Sequence, residues 1–241
     1  MNEFNTINNI LDNFMSYPVL KQMKIIRSDD GSNTIYLKEL NECYHSMKGA
    51  VTESNHVFIK AGLNYIKENE LTIFEVGFGT GLNALLTLLT SEKSNLKIKY
   101  YTNELHPLKD DIIRKLNYPN ILFLDEINSN RFYLMHSCTW NKDIKLTDNL
   151  LFHKIKGDMA TVDIPEQIKL VYFDAFSPDK QPEMWTKEIF IKLYRKMSAN
   201  SVLTTYCAKG EFKRVLKSVG FYVESLSGPP GKREMVRAIK H

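Results

Sequence analysis

The chain has 241 residues, 43% of them hydrophobic, with 32 Lys+Arg against 28 Asp+Glu for a net charge of +4. That is enough apolar material to bury the core of one large α/β domain, or one domain with an extension. No apolar run approaches the ~20 residues of a membrane span, and no repeat or low-complexity segment interrupts the chain.

The N-terminal MNEFNTINNILDNF is polar, without a basic stretch leading into an apolar one, so it does not read as a signal peptide. Residues 1–52 read as an extension carrying a hairpin and a loop. Met23–Ile26 and Thr34–Leu37 are short β-prone runs around the turn-forming Asp29-Asp30-Gly31-Ser32-Asn33. Asn41 to Gly49 reads as an irregular loop. From Glu53 to Glu68, apolar Val57, Phe58, Ala61 and Ile66 recur at helical spacing. Residues 53–241 read as one domain.

The most informative stretch follows. In LTIFEVGFGTGLNALLTLL, Leu71 to Leu89, an apolar run ends at Glu75 and Val76, three glycines alternate at 77, 79 and 81, and an apolar helical pattern begins at once. A strand turning tightly into a helix needs glycines where side chains would block the turn or a ligand. A dinucleotide fingerprint places its last glycine one position later, where this chain has Leu82. G-x-G-x-G after an acidic strand end is instead the pattern that binds S-adenosylmethionine (AdoMet).

Strands and helices then alternate. Lys97–Thr102 predicts a second strand ending in Asn103-Glu104, with a helix after Pro107. Residues 118–149 exceed an ordinary connection and contain Leu122, Phe123, Leu124, Phe132, Tyr133, Leu134 and Trp140, so they read as a helical insertion. Leu150–Ile155 predicts a third strand ending at Gly157-Asp158, and Ile168–Phe173 a fourth ending at Asp174. Ser201–Tyr206 is a fifth, followed by a helix over Glu211–Ser218. Phe221–Ser225 and Met235–Ile239 close the chain around a GPPGK turn, too short for anything but an antiparallel pair. The fold class is α/β: a doubly wound, Rossmann-like AdoMet-dependent methyltransferase fold with a seven-stranded sheet and an antiparallel last strand.

In such sheets ligands sit at the carboxyl ends of the strands near the switch in strand order. Four strands end there in an acid. Glu75 stands beside the glycine turn. Glu104 comes 23 residues after Gly81, where an acid bonds ribose hydroxyls. Asp158 is placed to accept from an adenine amino group, and Asp174 stands where the reacting group belongs. In FDAFSPDKQPEMW, Phe176 and Trp185 offer flat apolar surface while Pro178 and Pro182 stiffen the loop. This acid-x-aromatic-polar-Pro run resembles the loop with which amine N-methyltransferases hold a nitrogen. A carboxylate there stabilises the positive charge that develops on an attacking amine and can accept its proton.

His45 and His56, eleven residues apart, form no metal motif and read as packing or loop residues. The three cysteines, Cys43, Cys138 and Cys207, lie far apart without a C-x-x-C, which argues against a zinc site or disulfide framework and for a reducing cytosol. From Lys187 onward there are 12 Lys+Arg against 4 Asp+Glu, which suggests an anionic partner such as nucleic acid.

GFGTGLN (77–83), Glu104 followed by HPL, GD (157–158), FDAFSPDKQPEMW (173–185) and GKREM (231–235) together resemble the methyltransferase domain of the bacterial tRNA-modifying MnmC family. ECYHSMKGAVTESNHVFI (42–59) is similar to an earlier series in that family, so the resemblance spans roughly residues 23 to 240. It implies methylation of 5-aminomethyl-2-thiouridine at the tRNA wobble position to the 5-methylaminomethyl form, with AdoMet as cofactor and tRNA as partner. It implies that Gly77, Gly79, Gly81 and Asn83 surround the methionine end of AdoMet, Glu104 the ribose and Asp158 the adenine. Asp174 would hold the amine, Tyr44, Ser46 and Phe176 would line the substrate site, and Lys232 and Arg233 would face the tRNA. Ala175 replaces the family's usual glycine, and Ser177 stands where the two-domain enzymes carry alanine. Ending at His241, the chain resembles a stand-alone methyltransferase whose aminomethyl substrate is made by separate enzymes. Two other readings use the same glycine turn: a small-molecule amine methyltransferase or aminopropyltransferase, and a non-catalytic AdoMet-binding RNA module.

Overall fold

A computed structural model of the chain describes residues 22–241. The polar N-terminal part of the expected extension, residues 1–21, lies outside the described residues. β1 (Met23–Arg27), β2 (Asn33–Leu37) and β3 (Glu42–Cys43) form a small antiparallel sheet, the expected hairpin with one added strand. Its turn is closed by Asp30, which accepts from Ser32 N at 3.0 Å and reaches across to Thr52 N at 2.9 Å. The hairpin is thereby tied to the start of the next helix.

The helix expected over 53–68 is not continuous. An α-helix over Ala50–Ser54 widens into a π-helical segment, Asn55–Lys60, and ends in a 3-10 turn at Leu63–Tyr65. Val57, Phe58 and Ile59 are consecutive and all buried. A regular α-helix turns about 100° per residue, whereas the wider π turn keeps three neighbours against one core. The expected boundary after residue 52 falls inside the Ala50–Ser54 helix.

Among the described residues the main sheet has eight strands, in the order β10-β11-β9-β8-β4-β5-β7-β6. They are β4 (Glu70–Val76), β5 (Lys97–Glu104), β6 (Asp143–Lys145), β7 (Leu150–Lys156), β8 (Ile168–Phe173), β9 (Met197–Thr205), β10 (Tyr222–Ser227) and β11 (Glu234–Lys240). The expected count was seven. The eighth, β6, is a three-residue antiparallel edge strand beside β7, inside the segment expected to be a helical insertion. That segment also holds helices at Tyr118–Ile121 and Glu126–Ser137, the second capped by Asp125 accepting from Asn128 N at 2.8 Å.

β7, β5, β4, β8 and β9 run parallel, and β11 is antiparallel to both its neighbours, β9 and β10. The chain moves outward from β4 through β5 to β7, then returns to the other side of β4 for β8. The β4–β8 seam is therefore the switch point, where helices on opposite faces leave a crevice. Side-chain alternation sorts the core. Ile73, Leu170 and Tyr172 face the helix Leu82–Ser94 together with Ile35 and Leu37 of the small sheet. Phe74, Val76, Val171 and Phe173 face the helices Lys187–Lys196 and Gly210–Val219, packing on Phe190, Leu193, Phe212 and Leu216. Among the described residues no helix is long and apolar enough to cross a membrane.

Candidate active site

The carboxyl ends of β4, β5, β7 and β8 open into a cavity of ≈ 540 Å³. Backbone hydrogen bonds carry the sheet past its last strand residues. Phe78 N donates to Asn103 O (3.0 Å), Gly157 N to Glu104 O (3.0 Å) and Asp174 N to Val76 O (3.2 Å). The four segments that sequence reading assigned to a ligand are thus held side by side.

The turn after β4 runs through Gly77, Gly79 and Gly81 at φ values of 87°, 47° and 71°. Left-handed backbone at alternate positions is what glycine permits at no steric cost. Gly79 N donates to Glu104 Oε2 at 2.9 Å, and His106 N to Glu104 Oε1 at 2.8 Å, which fixes that carboxylate at the cavity wall. A Cβ on Gly79 would lie 3.1 Å from Tyr44 Cδ1, so the Tyr44 ring covers the turn closely. Asn83, in the first turn of the following helix, donates through Nδ2 to Asp174 Oδ2 at 2.8 Å, while its buried Oδ1 has no hydrogen-bond partner among the described residues.

The small N-terminal sheet and the loop after it form the opposite wall. Tyr44 meets Phe176 edge-on with ring centroids 5.1 Å apart. His45 is buried, its Nε2 2.6 Å from Thr80 Oγ1, and desolvation lowers its pKa to about 4, so it stays neutral. The loop FDAFSPDKQPEMW is fastened from behind: Trp185 Nε1 donates to Phe176 O (2.7 Å) and Tyr206 OH to Ala175 O (2.9 Å). Ala175 is not among the positive-φ residues, so its backbone has no need of the glycine usual in the resembled family. Ser177 Oγ donates to Glu42 Oε2 at 3.2 Å and joins this loop to the N-terminal sheet.

Asp174 sits half-buried at the switch point, lining the cavity. Burial, with the nearby Glu53 charge, pushes its pKa up to about 7, against the Asn83 hydrogen bond and the Lys232 charge. Among the described residues, seven carboxylates line the cavity (Glu39, Glu42, Glu53, Glu104, Asp158, Asp174 and Glu183) against two lysines, Lys180 and Lys232. Lys232 is not free to meet an anion from outside. Its Nζ bonds Glu53 Oε1 at 2.9 Å and lies 3.7 Å over the Tyr206 ring. A cleft with this balance favours cations.

Several sequence expectations change in detail. Gly77, Gly79, Asn83, Glu104, Asp158, Asp174, Tyr44, Ser46, Phe176 and Lys232 all line the one cavity. Glu75 does not. Strand alternation turns it beneath the helix Leu82–Ser94 with Ile73, fully buried, and neither carboxylate oxygen makes a hydrogen bond although Thr102, Asn83 and Tyr100 stand beside it. Burial pushes its pKa up to about 8, so it is a neutral acid near pH 7. Gly81 also leaves the cavity wall: it caps the helix Leu82–Ser94, and a Cβ there would come within 2.9 Å of His136 Nε2. Of the two residues expected to face the tRNA, Lys232 lines the cavity and pairs with Glu53, whereas Arg233 is exposed. Sequence reading missed Glu53, Met159, Met184 and Tyr206 as lining residues. Only the E-S pair at 53–54 hinted at Glu53; the others lack a local signal. Among the described residues no cluster of His, Cys, Asp and Glu is arranged to hold a metal.

Residues 128–241 match a family model described as S-adenosyl-L-methionine-dependent methyltransferase. The crystal structure of MNMC2 from Aquifex aeolicus superposes on 99% of this chain and 77% of its own, with a TM-score of 0.75 at 25% identity. The chain is similar to this methyltransferase family over just under half of its length, and to the MNMC2 fold over nearly all of it. Among curated relatives, the tRNA 5-methylaminomethyl-2-thiouridine biosynthesis bifunctional protein MnmC of Hydrogenovibrio crunogenus is 28% identical over 239 residues, 90% of this chain. The protein of the same name from Legionella pneumophila subsp. pneumophila is 30% identical over 231 residues, 84% of this chain. The chain spans 34% of the length of each of these relatives. Its cavity fits AdoMet: Glu104 presents a fixed carboxylate beside the glycine turn, and the acid-rich lining suits a cationic sulfonium.

Proposed function

We propose that this methyltransferase N-methylates the aminomethyl group of 5-aminomethyl-2-thiouridine at the wobble position of tRNA, giving the 5-methylaminomethyl form. The observation that carries the reading is Asp174. It is a half-buried carboxylate at the switch point, bonded to Asn83 of the glycine-turn helix, in an acid-rich cavity walled by Tyr44 and Phe176. The names of the relatives support the tRNA substrate, and 5-aminomethyl-2-thiouridine carries a cationic amine that suits this cavity.

In this reading Gly77, Gly79 and Asn83 hold the methionine end of AdoMet, Glu104 the ribose and Asp158 the adenine, with Gly81 and Glu75 supporting them from behind. AdoMet supplies an electrophilic methyl group on a sulfonium. Asp174 draws in the substrate ammonium, takes one of its protons and leaves the nitrogen lone pair free to attack. A carboxylate with a pKa near 7 can do this at neutral pH, whereas an ordinary aspartate is too weak a base. Tyr44 and Phe176 shield the amine from water and offer aromatic faces to the base. Arg233 meets the tRNA backbone. Other enzymes supply the aminomethyl group, and the work is done in the cytoplasm, where tRNA is modified.

The direct test offers labelled AdoMet with three acceptors: tRNA bearing aminomethyl-thiouridine, tRNA lacking it, and free polyamines. The reading expects label only in the first. Equal transfer to polyamines would replace it with small-molecule amine methylation.

A further inference from the structure

One lysine outside the cavity is built into the loop that carries part of its wall. The turn after β7 runs from Gly157 to Val162 and carries Asp158 and Met159 into the cavity. Asp158 Oδ1 accepts from Ala160 N at 2.8 Å, and its backbone oxygen accepts from Thr161 N and Val162 N at 3.0 and 2.9 Å. The turn doubles back so closely on Gly157, at φ 151°, that a Cβ there would lie 2.5 Å from Val162 Cγ1. Folding the backbone this tightly leaves the carbonyl oxygens of Met159, Ala160 and Val162 pointing to one spot on the outer side. Lys192, from the helix Lys187–Lys196, puts Nζ at that spot. It donates to Met159 O at 2.8 Å, to Ala160 O at 3.3 Å, and to Val162 O. Lys196, one turn later, pairs with Glu166 and with Asp163 (3.7 Å) to hold the next part of the loop.

Three converging carbonyls repel one another unless a cation sits between them. An ammonium matches that need, because its three donors are rotatable around a compact charge, whereas a planar guanidinium cannot serve three acceptors converging on a point. Besides its own backbone, the turn is held by Gly157 N donating to Glu104 O (3.0 Å), Asn103 Nδ2 to Gly157 O (3.3 Å), Thr161 Oγ1 to Asp158 O (3.3 Å) and by the buried Met159.

We propose that Lys192 is a positioning residue for the nucleobase end of the AdoMet site: its ammonium gathers three carbonyls and so holds Asp158 and Met159 where they recognise adenine. Lys192 itself touches no ligand. Its effect is to reduce the ways in which the turn can open, so its loss weakens adenine recognition and leaves the amine end of the cavity alone. This rests on the AdoMet reading of the cavity and on Asp158 meeting the adenine.

The test uses the full chain with Lys192→Met, which keeps the apolar stem, and Lys192→Arg. Calorimetry measures binding of S-adenosylhomocysteine and of its inosine analogue, in which an oxo group replaces the 6-amino group. Wild type should prefer the amino form. The Met variant should bind S-adenosylhomocysteine about tenfold more weakly, the loss expected for charge-assisted bonds to a loop, and lose most of its preference over the inosine analogue. In the absence of ligand, backbone amides 160–162 should exchange hydrogen faster than in wild type while the sheet does not. Should the Met variant fail to melt cooperatively, the Arg variant carries the test, expected to fold and to show a reduced preference. An unchanged amino-over-oxo preference in a folded variant overturns the proposal even if overall stability falls. A wild-type protein that binds neither compound would instead overturn the AdoMet reading itself.

Discussion

Asp174 and Glu75 show how two carboxylates at the ends of neighbouring strands take different roles. Asp174 lines the cavity, accepts from Asn83 and is raised to about 7. Asp174→Asn keeps the shape but removes both the charge and the base. Turnover should fall about 10²–10³-fold, typical for loss of one electrostatic or general-base group. Single-turnover assays read this, and AdoMet titration should change less than tenfold, because the proposed cofactor contacts lie elsewhere. The wild-type rate should fall about tenfold per pH unit below 7 as Asp174 is protonated, and level off above it. Glu75 gives a stability prediction. Its folded pKa, about 8, lies above the ordinary 4.5, so the native state holds a proton that the unfolded chain releases. Stability is therefore lost as pH rises between those two values. Glu75→Gln should leave urea stability unchanged at pH 4 and raise it at pH 8, on the order of 2–4 kcal/mol. Equal stabilities at pH 8 would mean that Glu75 is ionised and solvated in the native protein.

The glycine turn and the four acid-ended strands were legible because their signals are local: a strand period of two, a turn that only glycine accommodates, and an acid immediately after an apolar run. The ending of β8 at Phe173 is an example, since its six residues are buried almost throughout and the next is Asp174. What was not legible depends on direction and distance. Nothing near Glu75 in sequence tells that it turns under a helix while Glu104 faces the cavity. The π-helical Asn55–Lys60 appears only once Val57, Phe58 and Ile59 must share one core. The β10–β11 hairpin makes the same point with charge. Lys232 and Arg233 are adjacent, yet one is paired with Glu53 inside the cavity and the other is exposed. Arg233→Ala should lower the log–log salt slope of tRNA binding by about one unit. Lys232→Ala should leave that slope near wild type and instead reduce turnover, because it strands Glu53 beside Asp174. Filter binding over a salt series checks the pair, and equal slope changes would return Lys232 to the tRNA face.

At the scale of the whole molecule, the antiparallel pairing of β10 and β11 was anticipated from the short final turn, and the edge strand β6 was not, because three residues carry too weak a pattern. The excess of basic residues after Lys187 also meant less than the count suggested. Lys213 pairs with Glu234, Lys209 with Asp179 and Arg237 with Glu224, while Lys240 donates to the carbonyls of Tyr194 and Met197. Much of that charge fastens helices to strands, and the exposed remainder includes Lys187, Arg195, Arg214, Lys217 and Arg233. In the proposed reaction the acid-rich cavity draws in one cationic base while exposed basic groups such as Arg233 grip the phosphate backbone. The central claim is the reaction at that base, and nucleoside mass analysis tests it most directly. Hypomodified tRNA carrying 5-aminomethyl-2-thiouridine is incubated with AdoMet and the protein, digested, and its wobble nucleoside weighed. The account predicts conversion to the nucleoside heavier by one methylene with the wild-type chain, and almost none with Asp174→Asn. An unmodified wobble nucleoside after incubation with a wild-type protein that binds both AdoMet and tRNA would contradict it.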